Sequence, residues 1–131
     1  MRENNKTEID DDSTTLESDT MFDHPIPQTY ALKCHGGHLN GRIYPIPAEG
    51  LTIGREPDNT IRYPDKTPGI SRHHVSIFWQ NGALALLDLG SSNGTYVNQT
   101  GRIASMQPFP LNAGDVFYLG EKLNGFEVIM K

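Results

Sequence analysis

Five polar side chains that could bind an anion lie at three breaks between the apolar runs of this sequence: Arg55, Ser71, Arg72, Ser92 and Asn93. Arginine can hold a phosphate through two parallel N–H groups and stays charged at any relevant pH, and a serine hydroxyl can bind a remaining oxygen. An asparagine amide both donates and accepts, which suits peptide backbone beside the phosphate. If the three breaks meet in space, the set is therefore suited to a tetrahedral oxyanion.

Two other kinds of chemistry fit these residues less well. Ser71 stands close to His73 and His74, but neighbouring strand residues face opposite ways and Ser71 is not the serine of a Gly-x-Ser-x-Gly elbow. The histidines also lack the carboxylate or thiol spacing of a zinc site. We therefore expect a binding protein with no catalytic residue, no cofactor and no metal site.

Short β-strands must position the three breaks. The strongest strand signals are residues 74–79 and 83–89, and Asn81-Gly82 between them is typical of a tight hairpin. No window shows helical periodicity, and Gly, Pro and Asn interrupt the apolar runs at close intervals. About ten short strands predict an all-β sandwich or barrel; the others are 30–34, 42–46, 51–54, 59–63, 95–97, 102–103, 116–119 and 125–129.

The 131 residues are enough for one domain with a single core. Residues 1–27 carry a net charge of -6 and the remainder +1, so an acidic segment precedes a nearly neutral one. Residues 1–28 lack apolar periodicity and predict a disordered acidic tail, which leaves 29–131 as the domain. A neutral domain without a broad basic face argues against nucleic acid or an anionic membrane as partner.

Cys34 is the only cysteine, and no apolar run approaches the length of a membrane span. A lone cysteine cannot form an intrachain disulfide, which fits a reducing compartment. The first residues are polar and lack the apolar stretch of a secretory signal. We therefore expect a cytoplasmic protein.

Several short motifs in a fixed order resemble the forkhead-associated (FHA) domain family. They are Gly54-Arg55, Ser71-x-x-His74, Asn93-Gly94 and Leu111-x-x-Gly114-Asp115. The resemblance spans about residues 30–129. It implies an FHA-like β-sandwich of about eleven short, mostly antiparallel strands. Such a domain binds phosphothreonine peptides through loops at one end and has no catalytic activity, so a Ser/Thr kinase is implied as well.

The resemblance also implies a role for each residue that could bind an anion. Arg55 and Ser71 match the phosphate-binding arginine and serine of the family, and Arg72 matches a variable third phosphate contact. Ser92 lies where a Ser or Thr commonly assists, and Asn93 matches the residue that binds the main chain of the ligand.

Three further motif positions are implied to support the binding loops. Gly54 allows close approach, His74 braces one loop against another, and Gly94 completes the third motif. The fold itself leaves a second hypothesis open, in which an FHA-fold assembly protein binds its partners independently of phosphate.

The tail adds candidate phosphorylation sites, because members of the family often prefer particular residues, acidic ones among them, three positions after the phosphothreonine. Thr7, Thr14 and Thr20 each precede an acidic residue by three positions. A phosphorylated tail could therefore dock on the site of its own domain or of a neighbouring molecule. The simpler alternative is a tail that only keeps the protein soluble.

Overall fold

The computed structural model describes residues 30–98 and 100–130, and its regular structure is almost entirely β. Eleven strands occur in these residues: β1 Tyr30–His35, β2 Ile43–Pro45, β3 Leu51–Gly54, β4 Ile61–Arg62, β5 Val75–Gln80, β6 Ala83–Asp88, β7 Thr95–Val97, β8 Gly101–Arg102, β9 Phe109–Leu111, β10 Val116–Leu119 and β11 Gly125–Met130. One 3-10 turn, Gly37–Leu39, lies between β1 and β2. Within the described ranges, no helix is long and apolar enough to cross a membrane. The predicted tail, with Thr7, Thr14 and Thr20, lies outside the described residues.

The strands form two sheets. One has six strands in the order β2-β1-β11-β10-β7-β8, and the other has five in the order β9-β6-β5-β3-β4. Among the strand pairs of the described part, β3 and β4 run parallel and the rest antiparallel. The prediction of an all-β, FHA-like sandwich with mostly antiparallel strands is confirmed.

The core lies between the two sheets and follows the two-residue period of the strands. In β10, Phe117 and Leu119 are fully buried, whereas Val116 is exposed and Tyr118 only half-buried. The ring of Phe117 stacks on that of Phe126 from β11, with centroids 5.2 Å apart. Alternating inward residues from both sheets therefore build one apolar interior.

The Asn81-Gly82 hairpin forms as predicted between β5 and β6. Asn81 has φ 54° and Gly82 has φ 78°, and Gln80 pairs with Ala83 across the turn. Primed turns require positive φ at both central residues, which Asn and Gly tolerate best. This turn sets the register of the two longest strands of the five-stranded sheet.

The sequence pattern does not reveal strand β9. Its central residue is Pro110, which cannot donate a backbone hydrogen bond. Within the described residues, β9 pairs with β6 alone and forms the edge of its sheet, where a missing donor is tolerated.

Strand register brings the three polar breaks to one end of the sandwich. Ile53, at the end of β3, pairs with Val75 at the start of β5, and Val75 pairs with Asp88 at the end of β6. The residues after β3, before β5 and after β6 must therefore lie side by side.

Burial predicts different outcomes for two leucines near the end of the chain. Leu119 is fully buried and Leu123 is 62% exposed. Leu119→Ala should lower the free energy of unfolding by about 2–5 kcal/mol, because it leaves a cavity. Leu123→Ala should change it by less than about 0.5 kcal/mol. Urea denaturation followed by Trp79 fluorescence measures both, and equal losses would contradict this description of the core.

Candidate functional site

The three loops at the end of the sandwich where β3 and β6 end and β5 begins form an open, polar depression of about 430 Å³. It is lined by Arg55, Ser71, Arg72, His73, Leu89, Gly90 and Ser92. Four of the five predicted binding residues are thus brought together. Asn93 is the exception: it is exposed beside Ser92, and it does not line the depression.

Arg55 is held by the loop that precedes β5. Its backbone N–H donates to the carbonyl of Ser71 at 3.2 Å, and its Nε–H donates to the carbonyl of Ile70 at 2.7 Å. Within the described residues, no acceptor is bound to its two terminal nitrogens. The guanidinium is therefore fixed through Nε, and its terminal N–H groups can bind an anion bidentately.

Gly54 allows the end of β3 to pack directly on the backbone of Arg72. A Cβ at this position would collide with the Arg72 carbonyl oxygen and would lie 2.8 Å from Nδ2 of Asn59. Any larger residue must therefore push the end of β3 away from the backbone of Arg72.

Asn59 is a support that the sequence analysis did not identify. It is only 7% exposed, and its Nδ2 donates to the carbonyls of Glu56 at 2.9 Å and Arg72 at 2.8 Å. The amide thereby ties the loop after Arg55 to the backbone of Arg72. The local signal is weak, since Asp58-Asn59 is an ordinary turn sequence.

His74 joins two binding loops. The backbone N–H of Ser71 donates to its Nδ1 at 3.1 Å, and because a backbone nitrogen can only donate, the ring proton is on Nε2. Nε2–H in turn donates to the carbonyl of Gly94 at 2.9 Å. Burial lowers the pKa of His74. The Gly94 carbonyl and the charge of Asp88 act in the opposite direction but are outweighed, so the ring is neutral in this arrangement.

Gly94 connects a third loop to these two. Its carbonyl accepts from Nε2–H of His74 and also from the backbone N–H of Gly120, at 2.9 Å in both cases. Its φ of 88° is in the left-handed region, which glycine adopts without strain. A Cβ here would also lie 2.6 Å from Nε of Arg102.

Ser71 and Ser92 are in direct contact. The backbone N–H of Ser92 donates to Oγ of Ser71 at 3.2 Å. Since this bond uses a lone pair of the hydroxyl, the Ser71 O–H remains able to donate to a ligand oxygen.

Asp88 organises the loop that carries Ser92 and Asn93, and the sequence analysis did not assign it a role. The carboxylate is 1% exposed and accepts from the hydroxyls of Ser91, Thr95 and Ser105 at 2.6–2.7 Å, and from the backbone N–H of Gly90 and Ser91. Burial raises its pKa, but these hydrogen bonds outweigh burial and lower it to about 2. The only indication in the sequence is that an aspartate ends an apolar strand two residues before Gly90-Ser91.

The depression carries positive charge. Arg55 and Arg72 have no acidic partner within the described residues, whereas Nε2 of His73 lies 2.9 Å from a carboxylate oxygen of Asp58. Two arginines beside a serine hydroxyl suit a doubly charged tetrahedral anion.

Asp88→Asn should destabilise the protein by about 2–4 kcal/mol, because an amide cannot accept all five hydrogen bonds. The carboxylate pKa is below its ordinary value of 3.8, so its stabilisation is complete above that pH and is lost as pH falls toward 2. The difference in the free energy of unfolding between wild type and Asp88→Asn should therefore become smaller below about pH 4. Urea denaturation at pH 7, 5 and 3.5 measures this difference, and Asp65→Asn, at an exposed aspartate, is the matched control. A difference in unfolding free energy that does not change with pH would contradict the proposed role of the Asp88 carboxylate.

Comparison with known proteins identifies the family. Residues 51–120 match the family model of the FHA domain. An 81-residue stretch is 41% identical to the FHA domain-containing protein FhaA of Mycobacterium tuberculosis, covering 62% of this chain and 14% of that protein. Over 70 residues the chain is 37% identical to the oxoglutarate dehydrogenase inhibitor of Corynebacterium diphtheriae, covering 53% of this chain and 45% of that protein. The matches thus span less than half the length of either relative.

A solved structure gives the same result. It comes from a structural and functional analysis of phosphothreonine-dependent FHA domain interactions and is 34% identical, with a TM-score of 0.64. The match covers 79% of this chain and 97% of that one. Since the FHA family model covers more than half of the 131 residues, the chain belongs to the FHA domain family.

Proposed function

We propose that this domain binds phosphothreonine-containing segments of partner proteins and acts as an adaptor downstream of a Ser/Thr kinase. The observation that carries the proposal is the geometry of Arg55, whose Nε is bonded to Ile70 while its terminal nitrogens lack an acceptor within the described residues. The similarity to the FHA domain studied for phosphothreonine-dependent interactions supports phosphothreonine as the ligand.

The proposed contacts divide between phosphate and peptide. Arg55 and Arg72 offset the charge of about -1.5 to -2 that phosphorylation adds, and the Ser71 hydroxyl donates to a third oxygen. Ser92 assists, and Asn93, exposed at the rim, binds the main chain of the ligand. The near-neutral charge of the domain is no obstacle, because at physiological salt charges beyond about 8 Å are screened.

We propose a binding role without catalysis or cofactor. Ser71 is the nearest candidate nucleophile, but Nδ1 of His74 accepts the Ser71 backbone N–H and Nε2–H donates to Gly94. Neither ring nitrogen is left to act as a base on the Ser71 hydroxyl. The cytoplasm is the proposed location, which the single buried Cys34 supports.

We also propose that residues 29–131 form the FHA domain and that residues 1–28 form a tail that regulates it. A phosphate on Thr7, Thr14 or Thr20 would place a ligand on the same chain as the site. Tethering gives an effective concentration on the order of millimolar, which competes with partners that bind at micromolar concentration.

Arg55→Ala should weaken phosphothreonine peptide binding at least about 100-fold, because two charge-assisted hydrogen bonds are lost. The matched control is Arg42→Ala, which removes an exposed arginine of the β1–β2 connection. Isothermal titration of the domain with phosphothreonine, phosphoserine and unphosphorylated forms of one peptide measures the effect. Partner capture that persists in Arg55→Ala would instead favour the phosphate-independent assembly protein.

A tail phosphorylated at one threonine should weaken the binding of an added phosphothreonine peptide about 10-fold or more, or else produce a dimer. Peptide ligation can place the phosphate on Thr7, Thr14 or Thr20 in turn, with the unphosphorylated ligated chain as control. Titration and sedimentation measure affinity and mass. If neither quantity changes for any of the three, the tail only keeps the protein soluble.

A further inference from the structure

The dipeptide Asn-Gly occurs four times in this chain, at Asn40, Asn81, Asn93 and Asn124. It is especially prone to spontaneous deamidation, because glycine has no side chain to hinder the backbone nitrogen that follows the asparagine. That nitrogen loses its proton to hydroxide and attacks the side-chain carbonyl carbon. The new N–C bond closes a succinimide, the C–N bond of the side-chain amide breaks, and ammonia leaves. Water then opens the succinimide to aspartate or isoaspartate, so the reaction needs a free glycine N–H and a movable asparagine side chain.

Asn81 meets both requirements. It is exposed in the turn between β5 and β6, and within the described residues neither its side chain nor the Gly82 N–H makes a hydrogen bond. Backbone rotation at Asn81 has to bring the Gly82 nitrogen up to the side chain. Exposed loop tips rearrange at little cost in free energy, so no other interaction has to be broken first.

Asn93 is also exposed, but the peptide group that follows it is held on both sides. The N–H of the buried Gly94 donates to Oγ of Ser91 at 3.0 Å, and the Ser91 hydroxyl donates to Asp88 at 2.6 Å. The carbonyl of Gly94 accepts from Nε2–H of His74. The Gly94 nitrogen can therefore attack the Asn93 side chain only after this loop has opened.

Asn40 and Asn124 are protected in other ways. The Gly41 N–H donates to the carbonyl of Cys34 at 2.9 Å, and Oδ1 of Asn40 accepts a backbone N–H at 2.7 Å. Asn124 is only 5% exposed, and its Nδ2, the atom that would leave as ammonia, donates to two backbone carbonyls at 3.0 Å each. Three of the four pairs thus lack a free nitrogen or a movable side chain.

We propose that Asn81 is a site of spontaneous deamidation, and that the hydrogen bonds of Ser91 and Asp88 protect Asn93 from the same reaction. Deamidation at Asn81 adds a negative charge about 20 Å from the binding loops, at the far end of β5. At Asn93 it would replace an amide that can donate with a carboxylate that cannot. The inference goes beyond the proposed function, because it concerns the chemical stability of the site.

The test follows deamidation of the whole chain at pH 8 by peptide mapping and mass spectrometry, with isoaspartate labelled by a protein isoaspartate methyltransferase. In the folded protein Asn81 should react at least about 10-fold faster than each of the other three, which must first break hydrogen bonds. In urea all four should react at similar rates. Equal rates in the folded protein would overturn the inference, and so would an Asn81 that reacts in urea alone.

Ser91→Ala removes the acceptor of the Gly94 N–H and should raise the rate at Asn93 about 5-fold or more, while the other three sites keep their rates. The matched control is Ser105→Ala, which also removes a hydroxyl bonded to Asp88 but leaves the Gly94 N–H bonded. Asn93 should stay protected in this control. No rise in Ser91→Ala, or an equal rise in both variants, would overturn the part assigned to Ser91. Mass reports each site without any ligand, so a failure here is distinct from a failure of phosphopeptide binding.

Discussion

Asp88 carries a negative charge in the interior, at the point where β6 ends and the loop with Ser92 and Asn93 begins. A buried carboxylate is costly unless its oxygens are hydrogen-bonded, and here three hydroxyls and two backbone N–H groups supply those bonds. The donors come from the loop before β7, from β7 itself and from the segment before β9. Moving any of them away removes one of the five hydrogen bonds that offset the buried charge, so the carboxylate favours one arrangement of all of them.

A second set of bonds extends this arrangement across the binding end. His74, itself neutral and buried, links the backbone of Ser71 to the carbonyl of Gly94, which also accepts the N–H of Gly120. These contacts are made by backbone groups and a buried ring, so they leave the terminal nitrogens of Arg55 and the Ser71 hydroxyl proton uncommitted. A site fixed in this way before the ligand arrives loses less conformational entropy on binding.

The sequence predicted the parts of this structure that depend on local pattern. Alternation located most strands, and Asn81-Gly82 located the central hairpin. β9 was missed because Pro110 is a poor strand residue whose position at a sheet edge is set by distant pairing. The roles of Asp88 and Asn59 were missed for a similar reason, since their partners include Ser105 and Arg72, 17 and 13 residues away. The motifs predicted that Arg55, Ser71, Arg72 and Ser92 belong to one site, and these four residues line the depression. Spacing alone could not show that Asn93 does not line it.

The Asn81-Gly82 turn has a practical consequence for attaching this domain to other molecules. β5 begins at the binding end and runs six residues, roughly 20 Å, before it reaches the turn. The turn therefore lies at the end of the sandwich opposite the binding loops. There it forms a tight two-residue connection that is open to solvent. A fluorophore, a surface linker or a fused protein joined at this pole would leave the ligand-facing loops unobstructed. Immobilised in that orientation, the domain would present its loops outward as a capture reagent.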